Sequence, residues 1–112
     1  MPKRRIDRSL TGAALLFAAL GDPTRLTLLQ QLSDGGPASI SALASEQSMT
    51  RQGVTKHLHV LAKAGIIDGA RRGREQVWVV NPKRLADGRR HLAIISAGWD
   101  EALARFKTLV EA

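Results

Sequence analysis

The first third of the chain contains two apolar stretches separated by a turn. In residues 9–20, apolar side chains occupy most of the helix circumference, so this predicted helix must be covered on more than one side. Asp22 and Pro23 predict the start of a second helix, with Asp22 as the N-cap and Pro23 at the first helical position. The second helix is predicted to end near residues 34–37 and to bury a stripe formed by Leu26, Leu29 and Leu32.

A short helix, a tight turn and a longer amphipathic helix are predicted in the middle of the chain. Either Ser39 or Ser41 can cap the short helix, which ends near residues 47–49. Thr50 caps the fourth helix, and Gly65 closes it. The apolar face of the fourth helix, with spacings of four and three residues, consists of Val54, Leu58 and Leu61.

The last third begins with two short β-forming stretches and continues into one long helix. Residues 66–70 and 76–80 predict two strands joined by the basic loop 71–75, and Asn81 caps a last helix that runs to the carboxyl end. The sequence thus predicts a mainly α-helical domain of five helices with a small β-hairpin. This domain covers residues 9–112, after a disordered basic arm at residues 1–8.

The charge balance indicates the kind of partner. The chain carries 17 Lys and Arg against 10 Asp and Glu, which gives a formal net charge of +7 over 112 residues. Such an excess favours polyanionic partners, with nucleic acid ahead of an anionic membrane.

Several classes of protein are excluded or disfavoured by composition. The absence of cysteine excludes disulfides, thiolate nucleophiles and cysteine-ligated metal sites, and it favours a cytoplasmic protein. The basic, then apolar, amino terminus imitates a secretory signal, but Asp7 interrupts the basic region and residues 21–23 form a helix stop and cap. No membrane segment is therefore expected. The chain also lacks a Gly-rich phosphate loop, a serine elbow and clustered carboxylates, so neither an enzyme nor a cofactor is predicted.

The order of helix, helix, short helix, turn, helix, basic hairpin and helix is that of a winged helix-turn-helix domain. Residues 17–26, FAALGDPTRL, and residues 54–67, VTKHLHVLAKAGII, resemble the arsenical-resistance repressor (ArsR) family of bacterial transcriptional regulators. The wing that ends at residues 73–75 and the segment at residues 99–103 resemble one branch of that family. The resemblance implies a homodimer that binds operator DNA in the bacterial nucleoid as a repressor.

The polar face of the fourth helix is the predicted DNA-reading surface, since it projects away from the apolar face. Arginine pairs with guanine, glutamine pairs with adenine, the threonine methyl contacts thymine, and Lys or His binds phosphate. The amino-terminal end of such a helix enters the major groove first, so Arg51, Gln52 and Thr55 are predicted to read bases. The other predicted DNA contacts of this helix are Thr50, Lys56, His59 and Lys63.

A simpler interpretation of this face is a solvated helix surface, but the preceding helix, the tight turn and the basic hairpin favour DNA binding. His57 lies at the boundary of the apolar face and is predicted to pack and hydrogen-bond within the protein. Arg25, in the first turn of a scaffold helix, is predicted to form a structural ion pair rather than a DNA contact.

The hairpin loop concentrates positive charge and is predicted to bind DNA phosphates or a minor groove. Its candidate residues are Arg71, Arg72 and Arg74, which lie within four residues of one another. The alternative is that one of these arginines pairs with Glu75 or Asp68.

The first and last helices carry more apolar surface than one small domain can cover, which predicts a twofold dimer. In the last helix, apolar residues recur every three or four positions, close to a heptad seam. The alternative is that these residues line an intramolecular core. The predicted interface residues are Leu10, Leu16, Phe17, Leu92, Ile95, Trp99, Leu103 and Phe106.

The metal sites that the resemblance would imply are missing. Asp87 and His91 lie four residues apart, but Arg89 occupies the second position after Asp87, and Asp100 stands where the family pattern has histidine. Nearby arginines oppose cation binding, so an Asp87–His91 surface pair is predicted and a metal is not.

The predicted function is therefore a sequence-specific repressor that binds a palindromic operator as a homodimer and without a metal. The sequence identifies no small-molecule effector. Its two recognition helices would lie about 34 Å apart, which is one turn of DNA. The alternative is a winged-helix interaction module that binds an acidic protein partner through the basic wing and the dimer helices.

Overall fold

A computed structural model of the chain describes residues 8–112, with side chains from Leu10 onward. The predicted five helices and hairpin are confirmed. In chain order, the elements are α1 (Arg8–Leu20), α2 (Pro23–Gly35), α3 (Ile40–Gln47), α4 (Arg51–Lys63), β1 (Ile67–Arg72), β2 (Glu75–Val80) and α5 (Pro82–Glu111). The predicted arm at residues 1–8 lies outside the described residues, except for Arg8, which begins α1.

Helix starts are fixed by local sequence. Asp22, Ser39, Thr50 and Asn81 each accept a hydrogen bond from the backbone N–H three residues further on, at 3.0–3.2 Å. These bonds satisfy amide groups that have no partner within the first turn of a helix. Of the two serines predicted as caps for α3, Ser39 is therefore the one that caps it.

The core lies where α4 packs against α1, α2, α3 and the hairpin. As predicted, α4 contributes Val54, Leu58 and Leu61, which are all 0% exposed. Burial of one such aliphatic side chain stabilises the fold by about 1.5–3 kcal/mol. The apolar face of α4 is therefore fully used within one chain.

The predicted core stripe of α2 is wrong at one position. Leu28 and Leu32 are buried, and Leu29 is half-buried, whereas Leu26 is 50% exposed. The helix carries leucines in two overlapping stripes, and its contacts with α4 and β2 select the stripe that contains Leu28.

The hairpin is antiparallel, with a register that runs from Ile67 opposite Val80 to Arg72 opposite Glu75. The strands extend further into the predicted loop than expected, so a two-residue turn at residues 73–74 joins them. At the other end of β2, Trp78 exchanges two backbone hydrogen bonds with Ala38, at 2.8 and 3.2 Å. This pairing holds the hairpin beside the start of α3.

Helix α5 has 30 residues, which corresponds to about 45 Å at 1.5 Å per residue. Its first part packs on α1 at Gly88, where an added Cβ would lie 3.3 Å from the Leu16 side chain. Residues 96–112 are all exposed. Among residues 8–112, none of the helices combines the length and the apolar composition needed to cross a lipid bilayer.

Candidate nucleic-acid interface

Helices α3 and α4 form the helix-turn-helix. The turn between them is the three residues Ser48, Met49 and Thr50, and the backbone of Ser48 is left-handed, with φ of 53°. The Ser48 N–H remains bonded to the end of α3, while the Thr50 hydroxyl caps α4. The short turn that the sequence predicts is therefore confirmed, since three residues separate α3 from α4.

The polar face of α4 is exposed to solvent along its length. Its predicted base-reading residues are at the amino-terminal end, where Arg51 and Gln52 are exposed and Thr55 is half-buried. The Thr55 hydroxyl donates to the carbonyl of Arg51 at 2.7 Å. The predicted backbone-contacting residues of α4 are likewise exposed: Thr50, Lys56, His59 and Lys63.

The wing carries its three arginines on the outside. Arg71, Arg72 and Arg74 are exposed, and the Arg71 guanidinium lies 3.4 Å from the carbonyl of Arg74. Arg72 pairs with Glu75 at 3.7 Å, as the alternative interpretation of the wing expected for one arginine. Because both side chains are more than half exposed, this ion pair contributes little to the stability of the fold.

The start of α4 and the loop end of the wing lie on the same side of the molecule. Arg51 lines an open cleft of about 340 Å³ together with residues 39–41 of the α3 start and with Glu75 and Gln76 of β2. Further along α4, the His59 ring meets the buried Trp78 ring edge-on, with centroids 6.4 Å apart. Helix α4 and the wing thus form one polar surface, which we call the DNA face because the sequence predicts that it binds DNA.

Sequence reasoning missed Ser41 and Gln76 as members of this surface. Both are exposed and line the same cleft as Arg51. Ser41 could have been found from the general rule that the first helix of a helix-turn-helix crosses the DNA backbone. Gln76 carries no such signal, because its position depends on how the hairpin folds back.

The inner edge of α4 is joined to the scaffold through His57. The half-buried His57 ring lies 3.4 Å from the Arg25 guanidinium and 3.9 Å from the Asp22 carboxylate. The hydrogen bond from the Arg25 backbone N–H, together with the nearby charges of Arg25 and His57, holds the pKa of Asp22 below its ordinary value. The structure therefore places His57 in a packing and hydrogen-bonding role.

Arg25 is structural, but its partners differ from the predicted ion pair. Its guanidinium Nε donates to the Ala19 carbonyl at 2.5 Å, and Nη2 lies 3.5 Å from the Ala18 carbonyl. These carbonyls lie at the carboxyl end of α1, where the helix dipole favours a cation. The Arg25 side chain therefore caps the carboxyl end of α1.

A second exposed surface is apolar and belongs to α1 and α5. Of the predicted interface residues, Leu10, Leu92, Trp99, Leu103 and Phe106 are more than half exposed, and Phe17 and Ile95 are partly buried. We call this surface, extended by the exposed Val110, the apolar face; the exposed Ile94 and Leu109 lie on other sides of α5.

Leu16 is a correction to the predicted interface. It is only 2% exposed and packs against α5 of its own chain, so it offers no surface to a partner. The apolar α1 sequence did not reveal which of its sides meets α5.

The predicted Asp87–His91 pair is wrong. Asp87 instead pairs with Arg84, at 3.8 Å, and with Arg90. The neighbouring arginines therefore engage the carboxylate that a metal site on α5 would need.

Comparison with known proteins places these surfaces in context. A family model described as a helix-turn-helix domain matches residues 20–70, which contain α3 and α4. The chain is 36% identical over 92 residues to the HTH-type transcriptional regulator YuzN of Bacillus subtilis, covering 77% of this chain and 92% of that protein.

One solved structure and one further relative are also similar to this chain. An ArsR-like transcriptional regulator from Rhodococcus sp. RHA1 has a similar structure, with a TM-score of 0.76, 34% sequence identity and coverage of 90% of this chain and 94% of that one. The transcriptional repressor SdpR of Bacillus subtilis is 29% identical over 72 residues, covering 64% of this chain and 79% of that protein.

Proposed function

The chain belongs to the ArsR family of winged helix-turn-helix transcriptional regulators, and we propose that it represses transcription as a homodimer bound to a palindromic operator. The observation that carries this proposal is the difference in exposure between the two sides of α4. Its apolar side is completely buried, while its polar side lies exposed beside a basic wing. A helix with this arrangement fits the major groove of DNA.

Each part of the DNA face has a separate role in this proposal. Arg51, Gln52 and Thr55 read base edges, since they lie at the end of α4 that enters the groove. The hydroxyl of Thr55 is bonded to the backbone, which favours its methyl group as the contact to thymine. Thr50, Lys56, His59 and Lys63 orient the helix on phosphates, and the wing arginines bind the adjacent backbone or minor groove.

The apolar face supports the dimer. Trp99, Leu103 and Phe106 lie along one side of α5, and each is more than 60% exposed. A run of exposed apolar side chains along one helix of a small chain is typical of a protein interface, and a second copy would supply a self-complementary partner. Twofold pairing through α1 and α5 would present two copies of α4 to successive major grooves, which is why the operator is expected to be palindromic.

Repression without a metal is supported by two observations. The similarity to a protein named as a transcriptional repressor favours repression over activation. The pairing of Asp87 with two arginines leaves α5 poorly suited to bind a divalent cation. A bound dimer would repress by occupying the promoter DNA that the transcription machinery needs.

Footprinting on the DNA upstream of the gene, combined with sedimentation of the complex, tests the proposal. The expected result is a protected inverted repeat, two chains per duplex, and an affinity that falls steeply with salt and is unchanged by a chelator. Tight binding without sequence preference, or no binding, would contradict it and favour a module for an acidic protein. A loss of binding in chelator would contradict the metal-free mechanism.

A further inference from the structure

Arg84, in the first turn of α5, connects three helices through one side chain. Its Nε donates to the carbonyl of Ala64 at 2.9 Å, where α4 ends. Its Nη2 donates to the carbonyl of Gly12 in α1 at 2.6 Å, and its Nη1 lies 3.8 Å from the Asp87 carboxylate. One guanidinium therefore joins the recognition helix to both helices of the apolar face.

The surroundings of Arg84 hold it in this position. Its side chain is 20% exposed, and its stem covers Gly65, where an added Cβ would lie 3.7 Å from three Arg84 atoms. The Ala64 carbonyl lies at the negative end of the α4 dipole, which favours a cation. A planar guanidinium has several donors in fixed geometry, so it sets the separation of two carbonyls in a way that a lysine ammonium does not.

The two ends of this connection have different functions. Ala64 terminates the helix that carries the DNA-reading side chains, and Gly12 belongs to the helix that forms part of the apolar face. The buried Leu58 and Leu61 also hold α4 through apolar contacts, which have no preferred direction, and His57 connects α4 to Arg25 of α2. Hydrogen bonds do have a preferred direction, so Arg84 restrains the rotation of α4 relative to α1 and α5.

We propose that Arg84 is a positioning residue that fixes the distance between the two recognition helices of the dimer, and thereby the half-site spacing that the dimer accepts. This inference rests on the proposed function, since it needs a twofold dimer on a palindrome. In a twofold dimer, a rotation of α4 in one chain is repeated in the other chain, so the distance between the two recognition helices changes by the sum of both movements. One inserted base pair moves a half-site by about 3.4 Å and turns it by about 35°, which a rigidly held helix pair does not follow.

A spacing series on DNA tests the proposal. The probe is a duplex selected from a random library by the wild-type protein, together with versions that carry one or two additional base pairs at the dyad. The wild type is expected to bind the altered spacings much more weakly. The spacing penalty is the ratio of the affinity for the selected duplex to the affinity for the duplex with one inserted base pair. Arg84→Met keeps the side-chain stem and removes the hydrogen-bond donors. Its spacing penalty should be about fivefold smaller than that of the wild type, which is the equivalent of one hydrogen bond.

Arg90→Met is the matched control. It removes the same charge from the same helix, and Arg90 likewise pairs with Asp87, but its side chain is 72% exposed. Arg90→Met is expected to show the same loss of affinity for the altered spacings as the wild type. Because the readout is a ratio of two affinities for one protein, a uniform loss of DNA binding from the lost charge cancels.

Arg84→Lys provides a second variant in case Arg84→Met does not fold. An ammonium can bond one of the two carbonyls firmly, so an intermediate penalty is expected. A folded, dimeric Arg84→Met, or failing that Arg84→Lys, with the full wild-type penalty overturns the proposal. If the wild type itself accepts every spacing equally, the palindromic dimer is wrong, and the role of Arg84 is wrong with it.

Discussion

Helices α4 and α5 are both amphipathic, and they differ in which face remains exposed. In α4 the leucines are buried and the polar residues are exposed, whereas the second half of α5 exposes Trp99, Leu103 and Phe106 as well as its charged residues. Because its apolar face is already covered, α4 offers a mainly polar surface, interrupted by the 40% exposed Val60, and such a surface suits a polyanion. A helix with an uncovered apolar face needs another protein surface. The same periodicity therefore indicates different partners, depending on what the rest of the chain covers.

The largest expected effect is a loss of stability when the buried apolar face of α4 is changed. Leu58→Ala should lower the free energy of unfolding by about 2–5 kcal/mol, because it leaves a cavity beside fully packed neighbours. Urea unfolding at one fixed protein concentration measures this loss. Leu26→Ala is the matched control, since Leu26 is half exposed, and it should change stability by less than about 1 kcal/mol. Equal losses in both variants would contradict the assignment of the α2 and α4 faces.

The next largest effect is a loss of dimerisation when the exposed apolar face of α5 is changed. Trp99→Ala should leave the fold intact and weaken dimerisation by about 2 kcal/mol or more, which is roughly 30-fold in the dissociation constant. Trp99 is 65% exposed in one chain, so little intramolecular packing is lost. Sedimentation equilibrium measures the change, with Leu26→Ala again as the control. An unaltered dissociation constant would show that the apolar face is not the interface.

On the DNA face, base reading and backbone binding should separate. Gln52→Ala should relax preference at one base pair by about 1–3 kcal/mol. Arg72→Gln should instead weaken binding to all sequences alike and reduce the salt slope by about 1. Titrations on the selected operator and on random DNA distinguish the two, and each variant serves as the control for the other. Similar losses on both duplexes in both variants would contradict this division of roles.

The smallest effect is a pH dependence at Asp22, which lies at the inner edge of α4. Its folded-state pKa is below the ordinary 3.8, so the carboxylate stabilises the fold above that value, and this contribution is lost as the pH falls through the lowered folded pKa. In Asp22→Asn the amide still caps α2 but does not titrate. Urea unfolding from about pH 6 to about pH 3 should show the wild-type advantage shrinking. An advantage that stays constant would contradict the assignment.

Helix α4 was predictable because its determinants are local. The Thr50 cap and the spacing of Val54, Leu58 and Leu61 lie within one helix, so the sequence specifies both where α4 starts and which side is buried. Its polar residues follow from the same geometry. The caps Asp22 and Asn81 were predictable for the same reason.

Features that depend on docking between distant segments were not predictable. In α2, Leu26 and Leu28 each fit a plausible stripe, and only packing against α4 and β2 selects Leu28. In α1, the approach of Gly88 from α5 determines that Leu16 is buried. The proximity of Gln76 to Arg51 depends on the orientation of the hairpin. Each of these outcomes requires knowledge of which elements meet.

The uncovered end of α5 has one further consequence. Residues 96–112 are exposed rather than packed on the body of their own chain, and most of the stability of a protein helix comes from tertiary packing of its apolar face. If a second copy supplies that support, ordering of the segment becomes a bimolecular event governed by mass action. The concentration of the ordered, two-chain form would then rise with the second power of the protein concentration when the protein is dilute.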